Sequence, residues 1–431
     1  MQSRRIQTGG AITLPQEPMM ILSPLEQKLV KALETIETID AHEHLFPEDV
    51  RINTKVDVFT FFAHYTHGDL RASGMSEADY QAIQNRDLPL DYRWRVFAPH
   101  WEQIRWTSYS RSALISARKF YGVDDINEKT YQELSEKIAA GNTPGLYQRV
   151  LRDACNIRTS LTQCQRTDLG TPLLTPVMPI LAQGIWGLQS WEEVVSAEQG
   201  GPGIRSLDDL MSANRAYISR VKSEGAVGLK MVSNPYGQPS RKAAQEAFEQ
   251  LRTGAVSHLP AVNPLRDYVL DGAIRYAGEQ DLTIAVHTGY WGDFRALDPG
   301  HMIPILERHP QVRFDLYHIG YPYVRESLNL GKTMPNVWIN FCWTYIISPR
   351  FAMDALDEAI DLMPSNKIVG FGGDYNIPVE KVFGHMTIAR ESIARVLGAR
   401  IERGQMSEDQ AVGLARKWLW DNPKHLYRLN V

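Results

Sequence analysis

Short apolar runs with strand character recur eight times along this chain, and this recurrence is what most limits how it can fold. The predicted strands are Glu37–His44, Cys155–Thr162, Leu173–Leu181, Ala226–Val232, Leu282–His287, Val312–His318, Asn336–Cys342 and Lys367–Gly373. Segments with helical patterning lie between or after the last five strands, at 263–279, 300–309, 321–332, 349–362 and 380–399. Strands that alternate with helices form parallel βαβ units. Eight such units predict the α/β class and a closed (β/α)8 TIM barrel.

The chain is longer than such a barrel needs, and the surplus follows the first strand. A barrel of this type typically takes about 250 residues, whereas the chain has 431. Residues 46–150 carry helical stretches and no buried-strand pattern. Because the loops that follow barrel strands build the active-site face, we predict a helical, lid-like insertion within a single domain of residues 23–431. Residues 1–22 are predicted to be a loose N-terminal arm.

Composition and charge exclude several classes of protein. Hydrophobic residues make up 43% of the chain and charged residues 22%, which excludes a disordered, collagen-like or coiled-coil protein. The formal net charge of -4 argues against a nucleic-acid or polybasic membrane partner. No run reaches the roughly 20 apolar residues that span a bilayer, and we expect no signal peptide. The three scattered cysteines predict reduced core thiols and a cytoplasmic location.

Histidine and aspartate residues stand at the ends of several predicted strands. His42 and His44 lie two residues apart, so a strand points both imidazoles to one face. His287, His318 and Asp374 each follow an apolar run where a barrel strand enters its loop. Buried ionisable groups are costly unless they are paired or bind a metal. Imidazole and carboxylate ligands predict a divalent transition ion, with zinc expected first and manganese or iron as the alternatives.

Taken together, these motifs resemble the amidohydrolase superfamily. The matching segments are Asp40-Ala41-His42-Glu43-His44, His287-Thr288-Gly289, His318 with the Gly-Tyr-Pro-Tyr that follows it, and Phe371-Gly372-Gly373-Asp374. The resemblance is to the amidohydrolase-related branch of metal-dependent hydrolases and decarboxylases, and it covers about residues 36–430, including a similar terminal segment from Asp421 to Tyr427. One departure is Gly-Gly-Asp where Gly-Ser-Asp is common. We expect little effect from it, because the carboxylate stays in place.

The resemblance implies a role for each of these residues. His42, His44, His287 and Asp374 would bind one metal ion, and His318 would bind a second ion or act as a free acid/base. Asp374 would accept the proton of the attacking water and pass it to the leaving group. His318 would stabilise charge on the substrate oxygen. The implied activity is hydrolysis of a small carbonyl-containing substrate by metal-activated water.

Lys230 lies near the end of the fourth predicted strand and has more than one interpretation. By the resemblance it would be a carboxylated lysine that bridges two metal ions, as in the two-metal members of the superfamily. Otherwise it is a cationic clamp for an anionic substrate, or it snorkels out to solvent or pairs with Asp374. Tyr290, Arg295 and Tyr321 follow strand ends and are the other candidate substrate-binding residues, with packing inside the loops as the alternative.

The insertion contains a stretch between residues 91 and 111 in which four arginines alternate with aromatic residues. We expect these aromatic side chains to pack on the barrel and the arginines to face water, with one arginine reaching the substrate as the alternative. His64 and His67 are predicted to be lid or surface residues rather than a second metal site.

Three activities would use the same metal centre. A hydrolase is the leading prediction. The alternatives are a uronate-isomerase-like activity, which a distant similarity of the long insertion suggests, and a non-oxidative decarboxylase acting on a small carboxylated substrate. A non-enzymatic binding barrel is disfavoured, because it predicts lost ligands and all five polar positions are occupied. The expected partner is a small molecule, anionic if Lys230 binds it, and the sequence leaves open whether the chain forms a homo-oligomer.

Overall fold

The computed structural model describes residues 22–163, 173–181 and 204–431. Within these residues, eight parallel strands form one sheet in the order β1 to β8, which confirms the predicted (β/α)8 barrel. The strands are β1 Thr38–Glu43, β2 Ile157–Thr162, β3 Leu174–Pro179, β4 Gly228–Val232, β5 Thr283–His287, β6 Phe314–Tyr317, β7 Val337–Asn340 and β8 Ile368–Val369. Each strand lies inside its predicted run, and β8 is the one that falls furthest short of its predicted length.

The barrel closes between β1 and the segment that follows β8, and we call this contact the closing seam. Its backbone hydrogen bonds include Ala41 N to Phe371 O (3.0 Å), Asp374 N to His42 O (2.9 Å) and His44 N to Tyr375 O (2.9 Å). The regular strand β8 stops at Val369 because the residues beyond it divide their backbone bonds between β1 and the loop after β7, where Trp343 N donates to Gly372 O at 2.9 Å. The closing seam places Asp374 directly beside the two histidines of β1.

Helices cover the outside of the barrel and fill the insertion. The first seven are α1 Pro24–Glu34, α2 Glu48–Ile52, α3 Thr66–Ala72, α4 Glu77–Gln84, α5 Leu90–Ile104, α6 Ser108–Tyr121 and α7 Tyr131–Gly141. They are followed by α8 Leu207–Ser223, α9 Arg241–Arg252, α10 Pro264–Glu279, α11 Ile303–Arg308, α12 Val324–Thr333, α13 Thr344–Ile347, α14 Pro349–Leu362, α15 Glu380–Glu402, α16 Glu408–Arg416 and α17 Asn422–Leu426. Short 3-10 or π turns lie at Val58–Phe62, Gln148–Ala154, Phe294–Leu297, Pro299–Met302, His318–Gly320, Ser365–Lys367 and Lys417–Asp421. The predicted helix 300–309 is therefore divided between a 3-10 turn and α11.

Apolar side chains between the helices and the strands form the main core. Leu229, Ile284 and Leu316 bring the strands into this core, and burial on both faces is typical of a parallel sheet. The C-terminal residues pack where the strands begin: Thr283 Oγ1, at the start of β5, donates to Leu426 O at 2.7 Å. The opposite end of the barrel, where the strands finish, is therefore the end that carries the polar residues identified above.

The insertion has a core of its own and is fastened to α15. Its buried aromatic residues include Phe59, Phe62, Trp94, Phe97 and Trp101. Ser116 Oγ, on α6, donates to Glu380 O at 2.7 Å, and Arg51 forms a buried ion pair with Glu380 at 2.9 Å. The insertion thus packs on the helix that follows β8, while its function as a lid stays a prediction.

The arginine-rich stretch of the insertion differs in part from expectation. Trp94 and Trp101 pack in the insertion's own core and not on the barrel, and Arg93 does not face water. It is buried and pairs with Asp57 at 2.6 Å, because the carboxylate compensates the buried guanidinium.

The cysteines and the chain start bear on the remaining sequence predictions. Cys155 and Cys342 are buried free thiols. Cys164 and residues 1–21 of the predicted arm lie outside the described residues. Within the described ranges, no helix combines the length and the apolar character that a membrane crossing requires.

Candidate metal centre

His42 and His44 reach the centre from the end of β1. Nε2 of each ring lies 3.3 Å from Oδ1 of Asp374, as expected for residues two apart in an extended segment. His42 is buried, whereas His44 keeps 32% of its side chain exposed and lines a cavity. Burial lowers the pKa of both imidazoles. Both rings are therefore neutral near pH 7, the state that can bind a cation.

His287 ends β5, and His318 follows β6 in the left-handed backbone region with φ of +66°. The His318 Nδ1 donates to Cys342 O at 3.1 Å. Because a carbonyl oxygen can only accept, the proton sits on Nδ1 and Nε2 presents a lone pair. That Nε2 lies 3.0 Å from His287 Nδ1 and 3.8 Å from Asp374 Oδ2. Burial lowers the pKa of His287 to about 3 and that of His318 well below its usual range.

Asp374 is fully buried and adopts φ of +63°, a conformation that few residues other than glycine take. Burial alone would raise the pKa of this carboxyl, but the facing imidazoles of His42, His44 and His318 hold it well below its usual range. Its Oδ2 is buried and has no hydrogen-bond partner among the described residues. Leaving an anionic oxygen in that state is costly, so a bound cation would satisfy it.

The set of donors fits a divalent metal ion. Ligand atoms of His42, His318 and Asp374 lie within 4.8 Å of one another. His287 Nε2, like Asp374 Oδ2, is buried without a partner among the described residues. Neutral imidazole nitrogens and a carboxylate are the donors that zinc and related ions take. Two of the predicted ligands, His42 and Asp374, therefore meet in one cluster with His318. His44 and His287 lie beside this cluster, at 3.3 Å from Asp374 Oδ1 and 3.0 Å from His318 Nε2. Coordination of an ion by any of them stays a prediction.

Lys230 projects from β4 into this centre. Its Nζ lies 3.4 Å from His42 Nε2 and 4.0 Å from the ring centroid of Tyr317. Burial lowers the pKa of the amine to about 8. Because an ammonium group beside a bound cation is repelled, Lys230 in the loaded protein would be neutral, carboxylated or turned away. Both the bridging role and the substrate-binding role stay predictions that this position permits.

A cavity of about 670 Å³ lies against the centre and is lined by His44, His287 and Lys230. Much of its remaining described wall is aromatic: Tyr65, Tyr109, Tyr290, Trp291 and Trp343. The ring of Trp343 is central to this wall, with centroids 4.2 Å from Tyr65 and 5.5 Å from Tyr290. Flat aromatic walls of this kind favour a substrate with a planar part.

The predicted substrate-binding residues divide into two groups. Lys230 and Tyr290 line the cavity. Tyr321 stands behind Tyr290, with ring centroids 6.2 Å apart, and does not line the described wall. Arg295 does not line the described wall either: its side chain is 79% exposed and pairs with Asp293 at 2.8 Å, and its substrate-binding role stays a prediction. The carboxylate of Asp293 binds the guanidinium of Arg295 outside the cavity.

A sequence model described as amidohydrolase matches residues 200–429, more than half of the chain. This protein belongs to the amidohydrolase family. The match includes His287, His318 and Asp374, and it confirms the resemblance inferred from the motifs. The first strand of the amidohydrolase, with His42 and His44, lies outside the matched range and joins the centre through the closing seam.

Solved structures similar to this amidohydrolase include two isomerases. The uronate isomerase of Thermotoga maritima superposes with a TM-score of 0.78 at 16% identity, over 94% of this chain and 97% of that chain. The glucuronate isomerase of Caulobacter crescentus gives a TM-score of 0.78 at 18% identity, over 94% of each chain. At these identities the likeness shows a shared fold.

A curated relative of the amidohydrolase is protein fluG of Emericella nidulans. It is 25% identical over 176 residues, which are 39% of this chain and 20% of that protein. The chain thus spans about a fifth of that relative's length.

Sequence reasoning missed the contacts that the insertion makes with the centre of the amidohydrolase. Tyr65 donates from its hydroxyl to Asp374 Oδ1 at 2.9 Å, and burial raises the pKa of this phenol so that it keeps its proton. His64, assigned to the lid or surface, is half-buried and lines the cavity, with its ring centroid 6.0 Å from that of His44. The only sequence signal for these contacts was the cluster of polar rings at residues 64–67, which does not lie at the end of a predicted strand.

Proposed function

We propose that this amidohydrolase is a metal-dependent hydrolase that acts on a small carbonyl-containing substrate. The observation that carries the proposal is the buried, anionic Asp374, whose Oδ2 lacks a partner among the described residues while three imidazoles face its carboxylate. A fourth imidazole, that of His287, contacts His318. His42, His44, His287 and Asp374 would hold the ion, and His318 lies close enough to share in it. When bound, a divalent cation supplies Lewis acidity toward a carbonyl oxygen and makes a water more acidic.

The remaining chemistry falls to side chains of the protein. Asp374 is the carboxylate that takes the proton of the attacking water and returns it to the leaving group. Tyr65 donates to one oxygen of this carboxylate at 2.9 Å and so fixes its orientation. His318, fixed by its Nδ1 hydrogen bond to Cys342 O at 3.1 Å, keeps Nε2 directed at the centre. The chain thus supplies one proton carrier and the groups that orient it.

The donor set supports zinc as the first expectation, with manganese or iron as alternatives. One ion is the simplest loading, and two ions become feasible if Lys230 is carboxylated. The substrate would enter the cavity with a planar part against Tyr290 and Trp343, and an anionic group would meet Lys230. A cytoplasmic location and the absence of nucleic-acid and membrane partners stay predictions from the composition.

The alternative is an isomerase or a non-oxidative decarboxylase that uses the same centre on a small carboxylated substrate. The observation that favours it is Lys230, which is the only lysine or arginine among the described residues that line the cavity. Its buried position would pair a substrate carboxylate in a low-dielectric site, where such a pair is strong. The fold shared with the two isomerases is compatible with this alternative and does not select it.

A substrate panel tests the proposal against the alternative. Metal-loaded protein would be assayed on amides, lactones, uronates and aromatic carboxylates, with ring opening, aldose–ketose conversion and carbon dioxide release followed separately. We expect hydrolysis of an amide or lactone. Turnover confined to uronates or aromatic carboxylates would replace the hydrolase by the corresponding alternative.

Two variants connect that activity to the centre. We expect His42→Ala and Asp374→Asn to abolish turnover and to weaken Zn²⁺ binding, because each removes a ligand atom from the cluster. The exposed His258 offers a matched control, since His258→Ala removes an imidazole that is not one of the proposed metal-binding residues. Circular dichroism verifies folding. Near-normal activity in either centre variant would end the assignment.

A further inference from the structure

Two buried carboxyl groups of β1 stand behind the metal centre and contact it only through the backbone. They belong to Asp40 and Glu43, both fully buried, and neither lines the described cavity. Burial of a carboxyl group is costly unless the group is hydrogen-bonded or paired. The two residues flank His42 along the strand, so they share the closing seam with Asp374.

Each of these carboxyl groups accepts a backbone N–H next to Asp374. Gly373 N donates to Asp40 Oδ1 at 3.0 Å, and Tyr375 N donates to Glu43 Oε2 at 2.5 Å. Between them, Asp374 N donates to His42 O at 2.9 Å. Three successive amides are thus fixed by one strand.

This arrangement matters because of the backbone conformation of Asp374. Its φ of +63° lies in the left-handed region, which residues with a side chain adopt rarely, although aspartate tolerates it better than most. Rotation of the peptide units on either side of Asp374 would swing its carboxylate away from the imidazoles. Two hydrogen bonds from these units oppose that rotation directly: Asp374 N to His42 O and Tyr375 N to Glu43 Oε2. The bond from Gly373 N to Asp40 Oδ1 holds the peptide unit before them.

Glu43 also determines which residue can precede Asp374. A Cβ added to Gly373 would lie 1.9 Å from Glu43 Oε1. The φ of Gly373 is outside the left-handed region, so its backbone would accept a side chain and the obstacle is the glutamate itself. The space beside Gly373 is therefore occupied by the side chain of Glu43.

We propose that Asp40 and Glu43 are positioning residues that hold the Asp374 carboxylate in the orientation required to bind the cation. This inference rests on the proposed function only in taking Asp374 as a metal ligand. It requires no particular substrate and no particular reaction. It assigns to the Asp-Ala-His-Glu-His segment a second task, since two of its residues brace a ligand that comes from the far end of the chain.

The first test compares Glu43→Gln with Glu43→Leu. Glutamine keeps an oxygen that can accept from Tyr375 N, whereas leucine fills similar volume and accepts nothing. Binding of Zn²⁺ alone to metal-free protein would be measured by competition with a chromophoric chelator. Outer partners of metal ligands typically change affinity by about 10- to 100-fold, and we expect a loss of that size for leucine and a smaller loss for glutamine. Equal Zn²⁺ affinity in the leucine variant and the wild type would overturn the proposal.

Hydrogen exchange of metal-free protein gives a readout that needs neither metal nor substrate. We expect faster exchange in peptides that cover residues 371–377 for Glu43→Leu and near-native exchange for Glu43→Gln. If the wild type binds no Zn²⁺ yet this difference is observed, the bracing of Asp374 stands and the metal-dependent function fails. Unchanged exchange in both variants would refute the bracing.

A double-mutant cycle keeps the test decisive if Glu43→Leu does not fold. Gly373→Ala should weaken Zn²⁺ binding in the wild-type background, because the new methyl group collides with Glu43. In the Glu43→Ala background the collision is gone, so the same substitution should have little further effect. Equal losses in the two backgrounds would contradict the contact on which the proposal depends.

Discussion

Lys381 is a buried lysine that should contribute to how the stability of this protein varies with pH. Its Nζ lies where α15 meets the insertion and donates to Phe61 O at 3.0 Å and to Thr66 Oγ1 at 3.3 Å. Burial lowers the pKa of the amine from 10.5 to about 7, with Asp69 acting in the opposite direction. At about 1.4 kcal/mol per pKa unit, this difference corresponds to roughly 5 kcal/mol.

The sign of the effect follows from the protons bound in each state. The unfolded chain keeps this ammonium protonated up to about pH 10.5, whereas the folded protein releases the proton above about pH 7. Between these values the unfolded state binds more protons, so the free energy of unfolding rises with pH. Below pH 7 both states are protonated and the full cost of burying the charge is present.

Lys381→Met removes this cost together with the two hydrogen bonds. The acceptors left behind, Phe61 O and Thr66 Oγ1, stay buried at a cost of about 1–3 kcal/mol each. This cost does not depend on pH, so we expect the stability of the variant relative to the wild type to be greater at pH 6 than at pH 10 by about 4 kcal/mol. At pH 10 the amine is neutral in the folded state, so the lost bonds dominate and the variant is less stable.

Urea unfolding of metal-free protein at pH 6, 8 and 10, followed by tryptophan fluorescence, measures the difference. The exposed Lys242 provides the control, because Lys242→Met changes the same residue type on the surface of α9. A stability difference between Lys381→Met and the wild type that is the same at all three pH values would show that the buried amine does not titrate between them.

Three further perturbations probe the centre and its support. Lys230→Ala should lower the metal content from two ions to one if the lysine bridges, as measured by elemental analysis, whereas an unchanged content with a raised KM would place Lys230 in substrate binding. Tyr65→Phe removes a hydrogen bond to the charged Asp374, worth about 1.5–3 kcal/mol, so kcat should fall by about 10- to 100-fold. An unchanged kcat would exclude a role for the phenol. Gly384→Ala would place a methyl group 2.1 Å from Ser112 O, where α15 meets α6. Urea unfolding should show that the free energy of unfolding falls by about 1–3 kcal/mol. An unchanged free energy of unfolding would mean that the insertion can move away from α15 without cost.

The barrel could be predicted from the sequence because its signals are local. Each strand is a short apolar run, and the helices between the later strands have their own caps and periodicity, such as Asn263 and Pro264 at the start of α10. The length of β8 was overestimated because the apolar character of residues 367–373 continues beyond the regular ladder. Pairing at the closing seam depends on β1, more than three hundred residues away.

The centre was predictable where its residues stand at strand ends, and His42, His287 and Asp374 are of this kind. Tyr65 was not, because its contact with Asp374 spans 309 residues and depends on the path of the insertion. The position of Arg295 outside the described cavity wall could not be predicted either, because sequence position alone does not show that Asp293 pairs with it. The Gly-Gly-Asp segment was expected to matter little, yet the structure gives Gly373 a reason: Glu43 occupies the adjacent space.

The closing seam limits how this polypeptide can be rearranged. Residues 41–44 and 371–375 meet there across almost the whole chain length. In one circular permutant the original ends would be joined and new ends opened in the exposed turn around Gly254. It should still assemble, because residues 371–375 and 41–44 would then lie on one continuous stretch of chain. Ends opened between β8 and α15 would instead leave the carboxylate on a frayed terminus. How well the protein tolerates relocated termini should therefore depend on their distance from the closing seam and not on surface exposure alone.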